Sequence, residues 1–398
     1  MSTRISTAAT HAAAIAQIMK QQSALSKTQS QVASGKRFET PADDPIAAAR
    51  VLDLERNQAQ LKQFGKNSDL LASRLNIGEQ SLASIGDVLT RVRELVVRAN
   101  NGTMDATSRA SIASEIRSRA QELLDIANRR DASGEYLFSG YSTATQPFAR
   151  NVAGVGYTGD EGVRLVQIGP NQKIADGFPG SQLFMDIPEG NGTFVTQEGV
   201  HTGTGSIDPG QVTNSQAWVR DSYTIAFTAA DTYEVRDSAN NVVAGPATYT
   251  DGGSIAFNGI SVTVSGAPAV GDTFTVAPAG TRSMFSTIDD IAAALMGPDT
   301  PSANATFGTR MAAALQQLDQ AANVATNLRG EIGARLSAID NAASARDQLT
   351  DELSASVSQL RDIDYAEAIS RMNQQLTGLQ AAQAAYARIS QLSLFDYL

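Results

Sequence analysis

The stretch Leu71–Val96, LASRLNIGEQSLASIGDVLTRVRELV, decides the fold. Leu71, Leu75, Gly78, Leu82, Ile85, Leu89, Val92 and Val96 follow one another in alternating steps of four and three. That spacing draws one stripe along a helix that needs a partner over its whole length. Leu61 and Phe64 carry the stripe back, which predicts a helix over roughly 46–100, ~80 Å long at 1.5 Å per residue. Asn100-Asn101-Gly102 supplies the stop, and a second helix restarts near Asp105 with Ile112, Ile116, Leu123 and Ile126 on one side. Far along the chain, Met311, Leu315, Leu318, Ala322, Ala325, Ile332, Leu336, Ile339, Leu353, Val357 and Leu360 keep a similar phase. An intramolecular coiled coil would satisfy these stripes, and so would a rod or filament.

Between the two helical flanks the composition changes. Residues 131–282 hold 22 of the 32 glycines, 8 of the 12 prolines and 15 of the 23 aromatic residues. Tyr223–Thr228, Thr232–Asp237 and Asp272–Val276 alternate face by face, and Asn258-Gly259 between Ser254–Phe257 and Ile260–Val264 predicts a hairpin. Tyr136–Tyr141 is expected to pair with Val163–Ile168. The fold class is therefore α+β: a long antiparallel helical bundle or coiled coil from the N- and C-terminal regions, with an inserted antiparallel β domain, a small sandwich or barrel. The expected division is terminal helices at 1–44 and 365–398, a helical rod with a hairpin at 45–165 and 283–364, and the β insert at 166–282.

The two ends are amphipathic but sparse. His11, Ile18, Leu25 and Val32 recur every seven residues, with Ile15, Gln22 and Gln29 as companions; near the other end Ile369, Met372, Leu376 and Leu379 form a stripe, followed by Tyr386, Ile389 and Leu392. A seam this polar is weak alone, so each end is expected to pack only with the other end and with neighbouring subunits. Ordinary frayed termini are the plainer reading, but frayed tails rarely keep a seven-residue period. The apolar ending Leu394-Phe395 within Leu392–Leu398 also asks to be covered.

Chemistry is excluded more easily than assigned. With no cysteine, thiolate metal sites, disulfides and cysteine nucleophiles fall away; His11 and His201 are the only histidines. No phosphate-binding loop, dinucleotide fingerprint, zinc-protease motif or nucleophile elbow occurs, so no catalytic, cofactor or metal site is expected. Asp43-Asp44 could hold a metal or share a proton, but Thr40-Pro41-Ala42-Asp43-Asp44-Pro45 reads better as a loop whose acids cap the next helix. Arg91, Arg93, Arg98, Arg117, Arg119, Arg129 and Arg130 are interspersed with acids, which predicts a solvated or salt-bridged face. A net charge of −10 argues against nucleic acid, and with no long apolar run no membrane insertion is expected. No apolar segment near Met1 looks like a cleaved secretory signal. At ~100–200 residues per domain, 398 residues make two or three domains.

Taken in order, these segments resemble the bacterial flagellins and their hook-associated relatives. The resemblance rests on Arg4-Ile5-Ser6-Thr7 and the heptads after it, Ser34-Gly35-Lys36-Arg37, Pro41–Ala48, Tyr136–Tyr141 with Thr145–Phe148, and the ending Ser393–Leu398. It implies an extracellular structural part of the flagellum, exported without a cleaved signal through the type III apparatus, with an export chaperone bound to its C-terminal region. It further implies a ring of self-associating subunits that joins the hook, through the first junction protein, to flagellin. By the same resemblance Ile18, Leu25, Val32, Ile369, Met372, Leu376, Leu379, Leu394 and Phe395 belong to the assembly interface. Ser34, Gly35, Pro41, Asp43, Asp44 and Pro45 connect the inner and outer helical layers. A flagellin-type filament subunit is the alternative; Asp44-Pro45 and the Phe395–Leu398 tail favour the adaptor. A helical adhesin or signalling protein with a ligand-binding β domain is the third reading.

Overall fold

The computed structural model describes residues 7–101, 104–297 and 300–391. The chain gathers into two compact units, one from 1–66 with 342–398 and one from 67–341. Helices α1 (Thr7–Ser34), α2 (Pro45–Ala99) and α3 (Ala106–Ala127) come first. The hairpins β1 (Phe148–Asn151) with β2 (Gly154–Tyr157), and β3 (Leu165–Gly169) with β4 (Gln172–Ala175), follow, then α4 (Gly180–Phe184) and β5 (Ile187–Pro188). Strands β6 (Phe194–Glu198), β7 (Ser206–Ile207), β8 (Gln211–Val212), β9 (Tyr223–Ala229), β10 (Thr232–Arg236) and β11 (Val242–Thr248) come next. After β12 (Ser254–Phe257), β13 (Ile260–Ser265), β14 (Thr273–Pro278) and β15 (Thr281–Arg282), the chain returns to helix as α5 (Met284–Ala294), α6 (Pro301–Arg361) and α7 (Tyr365–Gln391).

The opening stripe is buried as its spacing requires. Leu71, Leu75, Leu82, Ile85, Leu89, Val92 and Val96 are all 2% exposed or less. Within the larger unit α2 runs antiparallel to α6: Arg329 donates to Glu79 at 2.7 Å and Arg93 to Asp319 at 3.0 Å, so rising numbers on one helix meet falling numbers on the other. Gly78 makes room at the contact, since a Cβ there would meet Ile332 Cδ1 at 3.4 Å. Asp105 caps α3 by accepting from the Ser108 amide at 2.8 Å. The Arg91 guanidinium, on the face read as salt-bridged, donates to Glu115 of α3.

The β insert is an antiparallel sandwich. One sheet runs β11-β10-β9-β14-β6 and the other β12-β13-β7, with β8 also on β13. Alternate residues of both, among them Tyr223, Ile225, Phe227, Ile260, Val262, Val264, Phe274 and Val276, meet in one core. Asn258 and Gly259 both have positive φ (43° and 77°) and close the β12–β13 hairpin in register Phe257↔Ile260.

The expected pairing of Tyr136–Tyr141 with Val163–Ile168 does not form. Gly169-Pro170-Asn171 turns β3 back onto β4, a nearer partner with a shorter loop to close. The carbonyls of Phe138 and Ser139 accept instead from Gly180 (3.0 Å) and Asp160 (3.2 Å). This irregular segment is held by charge as well. The Arg74 side chain, 9% exposed, pairs with Asp131 and with Glu135 (3.3 Å), donates to the Tyr136 carbonyl (3.1 Å) and faces Asp176 (3.5 Å). A guanidinium this buried is tolerated because carboxylates and a carbonyl surround it.

Candidate functional site

In the smaller unit α1 and α7 lie antiparallel. The His11 ring meets the Tyr386 ring edge-on at 5.7 Å, Gln21 faces Gly378, and Gly35 faces Tyr365. The less exposed positions on α1 include His11, Ala14, Ile18, Gln21, Leu25, Thr28 and Val32; on α7 they include Ala368, Met372, Gln375, Leu379, Ala382 and Tyr386. Both sets step by three and four, as a two-helix seam must. The companion residues of the first seam are therefore Ala14, Gln21 and Thr28, not Ile15, Gln22 and Gln29, which are exposed. A step of three and a step of four from His11 both stay on one helix face; α7 lies on the side that takes the step of three.

The seam is thin. Leu25 and Leu379 are buried at 7% and 8%, and Ile18, Val32 and Met372 are half-buried. Gln21 Oε1 and Gln375 Oε1 are buried without a hydrogen-bond partner. Ile369 and Leu376 share one apolar stripe with Met372 and Leu379 in sequence, but the structure divides it: both are 43% exposed and face away from α1. Ile15 (40%) and Met19 (65%) are exposed on α1. Leu394 and Phe395 lie outside the described residues.

The connection from α1 to α2 is a built structure rather than a slack loop. Ser34 ends α1 and Gly35 turns the chain with φ +73°. The Gly35 carbonyl accepts from the Ile363 amide (3.0 Å), and the Arg37 amide donates to the Arg361 carbonyl (2.6 Å). The two crossovers, α1 to α2 and α6 to α7, are thus stitched together. Pro41 follows Thr40 in a turn closed by Asp43 N–H to Thr40 O (3.0 Å), where its fixed φ suits the second position. Asp43 accepts from the Thr40 amide (3.1 Å), the Thr40 hydroxyl (3.1 Å) and the Glu39 amide (3.3 Å), and pairs with Lys27 Nζ at 2.6 Å. The Lys27 ammonium first, then the Thr40 and Glu39 donors, hold its carboxyl well below the usual carboxylate range. Asp44 caps α2, accepting from the Ala47 amide at 3.0 Å, and Pro45 is the first helical residue, where no N–H is needed.

Three family-model matches lie along the chain. Residues 5–143 match the bacterial flagellin N-terminal helical region, 315–398 the bacterial flagellin C-terminal helical region, and 198–278 the D2-like domain of flagellar hook-associated protein 1. The FlgL crystal structure from Xanthomonas campestris is 37% identical, with TM-score 0.73 over 77% of this chain and 99% of that one. The chain belongs to the flagellin family. A second family structure, flagellar hook-associated protein 3 from Legionella pneumophila, is 31% identical with TM-score 0.75 over 77% of this chain and 98% of that one. Flagellar hook-associated protein 3 of Salmonella typhimurium is 31% identical over 184 residues, 46% of this chain. The chain spans little more than half the length (57%) of that curated relative.

Three residues that hold this flagellin-family connection were not singled out from the sequence. Phe38 is 8% exposed and enters a core with Ala47, Val51, Leu54 and Val357. Tyr365 backs Gly35, and Arg361 donates to Glu55 at 2.7 Å. Phe38 had one signal: it is the first aromatic residue of the chain, and the helical flanks contain few.

Proposed function

We propose that the chain is a hook-associated adaptor of the bacterial flagellum, joining the hook to the flagellin filament. The observation that carries this is the 37% identity to Xanthomonas FlgL over 99% of that chain, with both flagellin helical regions matched. The structural role is supported by the terminal pair: half-satisfied seam glutamines and exposed Ile369 and Leu376 suit a surface completed by neighbouring subunits. In this reading 1–44 and 365–398 form the inner layer, 45–165 with 283–364 the rod, and 166–282 the outward β domain. Subunits self-associate in a ring, and each contacts the first junction protein on one side and flagellin on the other. An export chaperone holds the C-terminal region before secretion without signal cleavage, and the working site is extracellular.

Deleting the gene tests the adaptor role. Flagellin should then accumulate in the medium while hooks carry no filament. If filaments of ordinary length still form, the adaptor reading is wrong. If the purified chain alone grows into long filaments, the flagellin-type reading replaces it.

A further inference from the structure

Tyr141 ends the segment Tyr136–Tyr141 and is the most exposed aromatic side chain among the described residues, at 64%. It is exposed without being loose. Its ring lies against Gly162, where a Cβ would collide with Cδ2. Its hydroxyl donates to the Val163 carbonyl (3.1 Å) and its amide to Asp160 Oδ1 (2.8 Å). Asp160 also accepts from the Gly162 amide (2.7 Å) and the Ser142 hydroxyl (2.8 Å), so one carboxylate ties together both segments that hold the ring. These donors, the Tyr141 amide first, keep the Asp160 carboxyl below the ordinary carboxylate range, so a negative charge stays beside the ring. Glu161 adds a second one, and its carboxylate is bonded to the Ser181 hydroxyl rather than to a cation.

A ring already fixed in place loses little freedom when a partner covers it, and tyrosines so placed are common anchors of protein interfaces. The negative face of the ring, beside two carboxylates, favours a cation. The chain makes this contact twice within itself, with Arg130 4.3 Å over the Tyr136 ring and Arg335 4.1 Å over the Phe178 ring. Tyr141 has no such partner among the described residues. Two arginines are left over in the same way. Arg98 of α2 and Arg117 of α3 are exposed, and among the described residues neither has an ion pair or a ring contact. We propose that the Tyr141 ring receives Arg98 or Arg117 of a second copy of this chain. Such a contact presupposes the ring of copies proposed above. It joins two different patches, and head-to-tail contacts of that kind are the ones that close into rings.

Photo-crosslinking in intact flagella tests it. Tyr141→p-benzoylphenylalanine keeps an aromatic ring and makes it reactive to light; the full chain carrying it replaces the wild type in cells, and purified flagella are irradiated. The expected product is a covalent dimer of this chain, linked from position 141 of one copy to a segment carrying Arg98 or Arg117 of the other. Arg98→Gln combined with Arg117→Gln should lower its yield at least fivefold. Where the reactive ring at 141 blocks incorporation, the same probe at the exposed Ala144 takes its place, with the same product expected. A product with another protein, a product with another surface of the second copy, no product, or a yield unmoved by the two glutamines overturns the proposal alone. Absence of the wild-type chain from purified flagella overturns the adaptor reading, and this contact with it.

Discussion

The amide of Ile363 donates to the carbonyl of Gly35 at 3.0 Å, although the two stand 328 positions apart in the sequence. Two residues further along, Arg37 donates to the Arg361 carbonyl at 2.6 Å. The loop that leaves the first terminal helix and the loop that enters the last one therefore act as a single joint. Its geometry makes specific demands on the residues that build it.

Gly35 sits at φ +73°, and a Cβ there would lie 2.9 Å from Tyr365 Oη. Gly35→Ala should destabilise the smaller unit by roughly 1–2 kcal/mol from backbone strain, plus a contact term. Tyr365→Phe in the same chain should recover the contact term only. Urea denaturation of the four variants in a double-mutant cycle separates the two; a full recovery by Tyr365→Phe would show that backbone strain is not the cause.

Phe38→Ala removes the one aromatic side chain that anchors the connection in the core of Val51, Leu54 and Val357. The loss should be about 3 kcal/mol, at the low end for a buried phenylalanine because the site lies near the surface. Hydrogen exchange over 35–44 should accelerate strongly while β13 and β14 stay protected. Unchanged exchange in the connection would mean that Phe38 is not its anchor.

Asp43 keeps its charge further into acid when folded than when unfolded, because Lys27 and the Thr40 and Glu39 donors favour the carboxylate. A depressed native value means the stabilisation is complete above the unfolded value, near pH ~4, and is lost as pH falls toward the native one. Asp43→Asn should therefore weaken the joint at pH 7 and flatten its acid response below pH ~4. Exchange rates in 36–44, followed from pH 7 to pH 3 and corrected for intrinsic rates, give the comparison; parallel curves for both proteins would remove Asp43 from the account.

Much of this was legible in the sequence. The stripe from Leu71 to Val96, the Asp44-Pro45 helix start and the Asn258-Gly259 hairpin all work through local geometry, so local pattern finds them. The partner of Tyr136–Tyr141 was not legible, because Arg74 and Gly180 decide it from elsewhere in the chain. Nor could spacing tell which of Ala14 and Ile15 enters the seam, or that Ile369 and Leu376 turn outward. Adjacent positions on a sparse helix face are equally apolar in pattern, and only the placement of α7 separates them.

That division yields a sharp contrast. Leu376 is 43% exposed and Leu379 is 8% exposed, three residues apart on α7. Leu376→Asp should leave the monomer within ~0.5 kcal/mol of wild type yet impair incorporation into the flagellum. Leu379→Asp should cost about 3 kcal/mol or more, because its charge enters the seam unpaired. Thermal melts of the monomer and swarming of complemented cells measure the two effects; normal swarming with Leu376→Asp would exclude that face from assembly.

The proposed adaptor role puts the chain in a short zone between hook and filament. Electron microscopy of intact flagella labelled with antibody against the β domain, residues 194–278, reads it directly. Label is expected in one narrow band where the hook ends and the filament begins. Label distributed along the whole filament would contradict it and make the chain a filament subunit.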